Sequence, residues 1–209
     1  MLNFYYFIQL FGVGIGFSYF QKLSRSSKWL LLLLLLTFAS ELLADYFAHK
    51  LHNNLFVYHI FNPIQFTLIL LSYNYELKKK WIYAIIPLAV IFSILNSFFF
   101  QHYKSNLNSN FLNIESVFFV LITLIFIKKL MESYKENDLF MEFPLFIISL
   151  GLLVFSIISI LTFGMYNYFE TIKDNENIYS FLNILRLLSN YIFYISFTLA
   201  FLSKQKQLS

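Results

Sequence analysis

Residues 29–49 read WLLLLLLLTFASELLADYFAH, an unbroken apolar run interrupted by two carboxylates, Glu41 and Asp45. At about 1.5 Å of rise per residue, such a run forms a helix about as long as the ~30 Å hydrocarbon core of a bilayer is thick. A helix pairs its own amides internally, which is what a segment must do where no water is present. Residues 29–49 are therefore expected to cross a membrane, and the remaining sequence can be tested for the same property.

Six further runs of similar character are present, giving expected spans at 2–21, 29–49, 56–75, 81–100, 111–127, 143–166 and 178–203. Strict alternation of polar and apolar residues, the mark of a membrane β-barrel strand, is absent. The expected fold class is all-α: one domain over residues 1–209, a polytopic membrane protein folded as a seven-transmembrane-helix bundle. The first run has no basic residue ahead of it and no small-residue cleavage site behind it, and Lys22, Arg25 and Lys28 follow it. It reads as a retained span rather than a signal peptide.

Basic residues give an independent test of this count. The first, third and fifth connections and the tail carry Lys22, Arg25, Lys28, Lys78, Lys79, Lys80, Lys128, Lys129, Lys135, Lys204 and Lys206, whereas the other connections carry Lys50, Lys104 and Lys173. Positively charged loops stay in the cytoplasm, so the bias of 11 to 3 predicts an outside N-terminus and a cytoplasmic C-terminus. The expected location is the inner (cytoplasmic) membrane of a bacterium.

Composition agrees with a lipid-embedded chain. Of 209 residues, 59% are hydrophobic and 12% charged, and the mean hydropathy is +0.66. The net charge of +4 is distributed between apolar runs rather than gathered on a patch, which speaks for topology and against nucleic acid as a partner. With no cysteine, thiolate chemistry, disulfides and cysteine metal sites are excluded. No cofactor motif is present, and no metal set is expected.

Charged groups in a bilayer require a partner or a water-filled cavity. Glu41 and Asp45 lie one turn apart on one face of span two, and Asn183, Arg186 and Asn190 form a stripe on span seven, extended by Tyr179 and Tyr194. Counted from the outer span ends, Glu41 and Arg186 both lie about 12 Å deep, a placement that permits an ion pair. Tyr58, His59, Asn62 and Gln65 open span three around Pro63, which removes one hydrogen bond from the helix and is expected to kink it. Gln9, Asn96 and Glu115 are further polar residues of the outer half, and Gly12, Gly14 and Gly16 suit close helix packing. Asn53 and Asn54 suit a tight outer turn.

The stretch from Asn53 to Gln65, with Glu41 and Asp45 before it, resembles a motif of small seven-helix bacterial membrane proteins of no assigned activity. That resemblance implies the fold and its topology, not a reaction. Three other seven-span families make demands the chain does not meet. The last span has no lysine for a retinal Schiff base and no histidine pair of the ceramidase type, and Ile64 separates Pro63 from Gln65 where a PQ-loop carrier has them adjacent.

The residues together predict a ligand-binding or sensing module. Its outward-facing pocket lies between spans two, three and seven, lined by Glu41, Asp45, Tyr58, His59, Asn62, Gln65, Asn183, Arg186 and Asn190, and takes a small polar ligand. Without a cytoplasmic domain, signalling would need a cytoplasmic or membrane partner. Two alternatives share these residues: a small-solute or ion-coupled transporter, and an intramembrane metal-assisted hydrolase built on His59, Glu41 and Asp45.

Overall fold

The computed structural model describes residues 2–133, 139–170 and 176–207; for residues 2, 3, 165–170 and 176–179 it describes the backbone alone. Lys135 and Lys173, which entered the charge bias, lie outside the described residues. Seven α-helices and no strand are found among the described residues: α1 (Leu2–Ser18), α2 (Arg25–Leu51), α3 (Leu55–Leu77), α4 (Lys80–Leu95), α5 (Ser109–Ser133), α6 (Pro144–Glu170) and α7 (Glu176–Leu202). Six of them, α2 to α7, with α4 extended by the helical turn that runs on to Phe100, are long and apolar enough to cross a membrane. α1 stops at Ser18, earlier than its hydropathy suggests, and its 17 residues leave it a shorter apolar helix than those six spans. Its last residues turn instead: Lys22 and Leu23 both donate to the Tyr19 carbonyl.

Local chemistry accounts for the helix ends. Ser24 caps α2 by accepting from the Ser27 amide at 3.1 Å. Lys78 closes α3 in the left-handed conformation at φ 55°, donating its amide to the Asn74 carbonyl, while the Asn74 side chain accepts from the Lys79 amide at 3.0 Å. The expected Asn53–Asn54 turn is present, with the Asn53 side chain accepting from the Leu55 amide at 3.0 Å. Pro144 takes the first position of α6, where a missing N–H costs nothing. α3 continues as helix through Pro63, and α4 through Pro87. α4 ends in a π-helical turn, Asn96–Phe100.

Contacts between named residues fix how the helices run. Tyr5 meets Tyr194 and Gly16 meets Phe201, so α1 and α7 are parallel. Phe47 packs on Phe56 while Ser26 reaches Glu76, so α2 and α3 are antiparallel. Phe155 stacks on Phe193, and Gly151 approaches Ser196, as antiparallel α6 and α7 require. Gly12 and Gly16 face their neighbours closely. A Cβ on Gly12 would come within 2.9 Å of Leu34, and one on Gly16 within 2.4 Å of Leu31. Gly14 faces open space. Two of the three glycines therefore serve packing, at the four-residue spacing that lets helix backbones approach.

The core lies where α3, α5 and α6 converge. Phe66 stacks on Phe119 and meets the edges of Phe111 and Phe118, and the fully buried Tyr73 hydroxyl joins Thr123 (3.1 Å) to Ser149 (2.8 Å). The outside of the bundle is covered by large apolar side chains such as Phe4, Phe7 and Phe11 on α1 and Leu88 and Ile91 on α4. A surface of this extent calls for lipid rather than water around it. The chain is thus an all-helical, multi-pass membrane protein compatible with direct bilayer contact.

At its α3-to-α4 end the bundle carries a further set of buried polar contacts. Buried Glu76 accepts from Ser26 at 2.9 Å, and its carbonyl accepts from Lys129 at 2.8 Å. The tail after α7 is fastened to the same face. Gln205, at φ 61°, accepts from Ser27 at 2.6 Å and donates to the Ala200 carbonyl at 2.7 Å, while Lys204 and Lys206 both pair with Glu142. Hydrogen bonds from the ammonium groups of Lys204 and then Lys206 lower the Glu142 carboxyl to about 2. Glu76 escaped notice because it reads as the flank of a span, not as a buried group.

Candidate functional site

Glu41 is the centre of a polar cluster. α2 presents it one turn from Asp45, half-buried, toward the helices on either side. Tyr5 of α1 donates to one carboxylate oxygen at 3.1 Å, and Tyr58 of α3 donates to the other at 3.3 Å. The Tyr194 hydroxyl of α7 lies 3.2 Å from that of Tyr5. A phenol has one proton, so with Tyr5 donating to Glu41, Tyr194 must donate to Tyr5. The chain Tyr194–Tyr5–Glu41–Tyr58 therefore joins four helices through three hydrogen bonds.

The expected ion pair with Arg186 is not formed: no Glu41–Arg186 contact within 4.0 Å is present among the described residues. Arg186 is exposed on α7, two turns from Tyr194. Tyrosine hydroxyls have taken the carboxylate positions an arginine would have filled. Counting depth from span ends missed this because α1 brings a third helix between α2 and α7. The near partner of Asp45 is His49, at 3.5 Å.

The other expected site residues are dispersed. His59 points away to the α4–α5 connection, its ring nitrogens 2.7 Å from the Ser97 hydroxyl and 2.9 Å from the Asn106 carbonyl. That connection is itself knitted by Asn96, Gln101, Asn108 and Asn110 around the π-helical turn. Asn62 is buried on the stripe it shares with Phe66, Ile69 and Tyr73, facing α5 and α6 rather than Glu41. Gln65 and Asn190 are half-buried and Asn183 exposed, and among the described residues no side-chain hydrogen bond links them to Glu41. The side chain of Tyr179 lies outside the described residues.

The ligands a hydrolase would need are consequently not brought together. His59 is engaged elsewhere, and no group of three potential metal ligands among histidines and carboxylates occurs among the described residues. The cluster has two contributors that were not put in the site from sequence, Tyr5 and Tyr194. Tyr194 continues the Asn183–Arg186–Asn190 stripe at a spacing of four, which was a usable signal; Tyr5 has no comparable mark among the aromatics around it. Gln9, fully buried one turn below Tyr5, lies beside Tyr194 with neither amide atom in a hydrogen bond.

What the arrangement offers is a carboxylate held by neutral donors, a second carboxylate close by, and an uncompensated guanidinium on an exposed helix face. Around Arg186, Phe181, Ile184 and Leu188 are also exposed, so the first half of α7 is open along one side. Opposite charges without direct contact and with an apolar flank can receive a small molecule that carries both charges. No family model matches the chain, and no curated protein or solved structure is significantly similar to it.

Proposed function

We propose that the protein is a membrane-embedded binding or sensing module, with seven crossings, the N-terminus outside and the C-terminus in the cytoplasm of a bacterial cell. Its pocket opens outward between α1, α2, α3 and α7. Glu41 and Asp45 receive a cationic group, Arg186 an anionic one, and the tyrosines supply aromatic walls on which an ammonium can rest. The ligand class is a small zwitterion or amphipathic amine.

One observation carries this reading: Glu41 and Arg186 carry opposite charges on helices that touch, α2 and α7, without closing into a salt bridge. A pair built only to lock the bundle would be in contact, since an unpaired charge is expensive in lipid. Binding is favoured over transport by the opposite end of the bundle, where Ser26–Glu76, Lys129 and the Gln205 tail form a connected polar layer. Signalling passes through the exposed Lys78, Lys79, Lys80 and Lys128, a basic surface for an acidic cytoplasmic or membrane partner.

The test is thermal unfolding in detergent with a panel of amines, carboxylates and zwitterions. A binder of the native state must stabilise it. The reading predicts a zwitterion or amine that raises the melting temperature of wild type but not of Glu41→Gln or Arg186→Ala. Uniform indifference across the panel, or equal responses in the variants, contradicts it.

A further inference from the structure

Glu115 is the most isolated carboxyl of the described chain. It is 1% exposed, and neither oxygen has a protein partner. Four further residues share the property: Asn62 Nδ2, Asn113 Oδ1, Ser156 Oγ and Ser159 Oγ are also buried without a partner. Buried polar atoms are nearly always satisfied, so five such residues call for one explanation if they share one place.

The helix registers put four of them, all but Asn113, in one place. Tyr73 bonds both Thr123 and Ser149, which sets these residues of antiparallel α5 and α6 side by side. Nearer the other end of the pair, Asn113 Oδ1 lies 3.9 Å from a Cβ placed on Gly164. Between these two ties, Glu115 falls opposite the Ser156–Ser159–Thr162 stripe of α6. On α3, Phe66 touches Phe111 and Phe119, the residues one turn either side of Glu115, and Asn62 lies one turn beyond Phe66 on the same stripe. Three inward-facing stripes thus converge on the carboxyl.

We propose that Glu115, with the oxygens of Ser156 and Ser159, forms a second site that holds one small monovalent cation, sodium or a proton, between α3, α5 and α6. The donor set is all oxygen, which suits a hard cation. Charge fixes the valence: one carboxylate and one unit of positive charge leave the site neutral, whereas a divalent ion would strand a positive charge in the core. Asn62 Nδ2 is a donor, free to hold a carboxylate oxygen or a water of the ion's shell. This site is separate from the Glu41 cluster, which lies against α1 and α2, and does not depend on the function proposed for it.

The experiment is thermal unfolding of the full chain in detergent, in sodium chloride against choline chloride at equal ionic strength, from pH 5 to 9. Wild type is compared with Glu115→Gln. Stabilisation of wild type by sodium of a few degrees, lost in Glu115→Gln, identifies sodium; a pH-dependent melting temperature lost in Glu115→Gln, with no sodium effect, identifies the proton. Either result upholds the site. Parallel curves for wild type and Glu115→Gln under all conditions overturn it. Should Glu115→Gln not fold, Ser159→Ala is read instead: it keeps the carboxyl and removes one oxygen, and must move the sodium or pH midpoint at least about threefold in cation concentration, whereas an unmoved midpoint overturns the site.

Discussion

The phenolic oxygen of Tyr5 stands 3.1 Å from Glu41 and 3.2 Å from Tyr194, so one hydroxyl couples α1 to both α2 and α7. Tyr5→Phe removes the donor and leaves a half-buried carboxylate oxygen unmatched. Hydrogen bonds to charged groups contribute about 1.5–3 kcal/mol. Tyr5→Phe should lose a comparable amount in detergent unfolding, and far less in a Glu41→Gln background. Additive losses in the double variant would show that the two groups do not interact.

Arg186 should behave differently. It is exposed and closes no salt bridge with Glu41, so a double-mutant cycle of Arg186→Ala with Glu41→Ala should give a smaller energy than Tyr5 with Glu41, and one that shrinks with added salt. A larger, salt-insensitive coupling would mean a closed ion pair.

Helix approach offers a sharper contrast. A side chain at Gly16 would collide with Leu31 and press on Phe201, whereas Gly14 faces open space. Gly16→Leu should therefore destabilise the α1–α2–α7 contact by about 1–3 kcal/mol or more, the usual cost of overpacking. Gly14→Ala should be neutral or slightly stabilising, because it removes chain entropy within a helix. Unfolding midpoints of the two variants check this directly.

Acid should release the tail. The Glu142 carboxyl is lowered to about 2 by Lys204 and Lys206 from an ordinary value of 4.5. A carboxyl lowered in the folded state contributes stability that is fully present above about 4.5 and is lost as pH falls toward 2. The lysines are 71% and 38% exposed, so the effect is modest and weakens with salt. Protease cutting of the tail should rise over that pH window in wild type, with an acid-stable protease. Glu142→Gln should already be cut faster at pH 7 and change little below it.

The helices were legible because lipid imposes a simple rule: long apolar runs bounded by lysines. The limits of that rule appear at α1, where the hydropathy of residues 19–21 suggested more helix than the turn at Tyr19–Lys22 permits. Of the site, Glu41, Tyr58 and Arg186 were recognisable as expensive or periodic polar groups. His59 was adjacent to Tyr58 in sequence but faces the α4–α5 connection, since neighbours on a helix diverge by about 100°. Tyr5 was hidden among abundant aromatics, and Glu115 was visible in sequence but its isolation was not, because only packing shows whether a carboxyl has a partner.

The claim on which the functional account rests is that Glu41 and Tyr58 line a cavity open to water on the outer side. The chain has no cysteine, so single cysteines can be read without background. Tyr58→Cys and Lys79→Cys would be exposed, in intact cells, to a membrane-impermeant thiol reagent. The account predicts that Tyr58→Cys is labelled from outside, and that Lys79→Cys is labelled only after permeabilisation. Labelling of Lys79→Cys in intact cells, or a Tyr58→Cys that stays unlabelled from outside in folded protein, would contradict it.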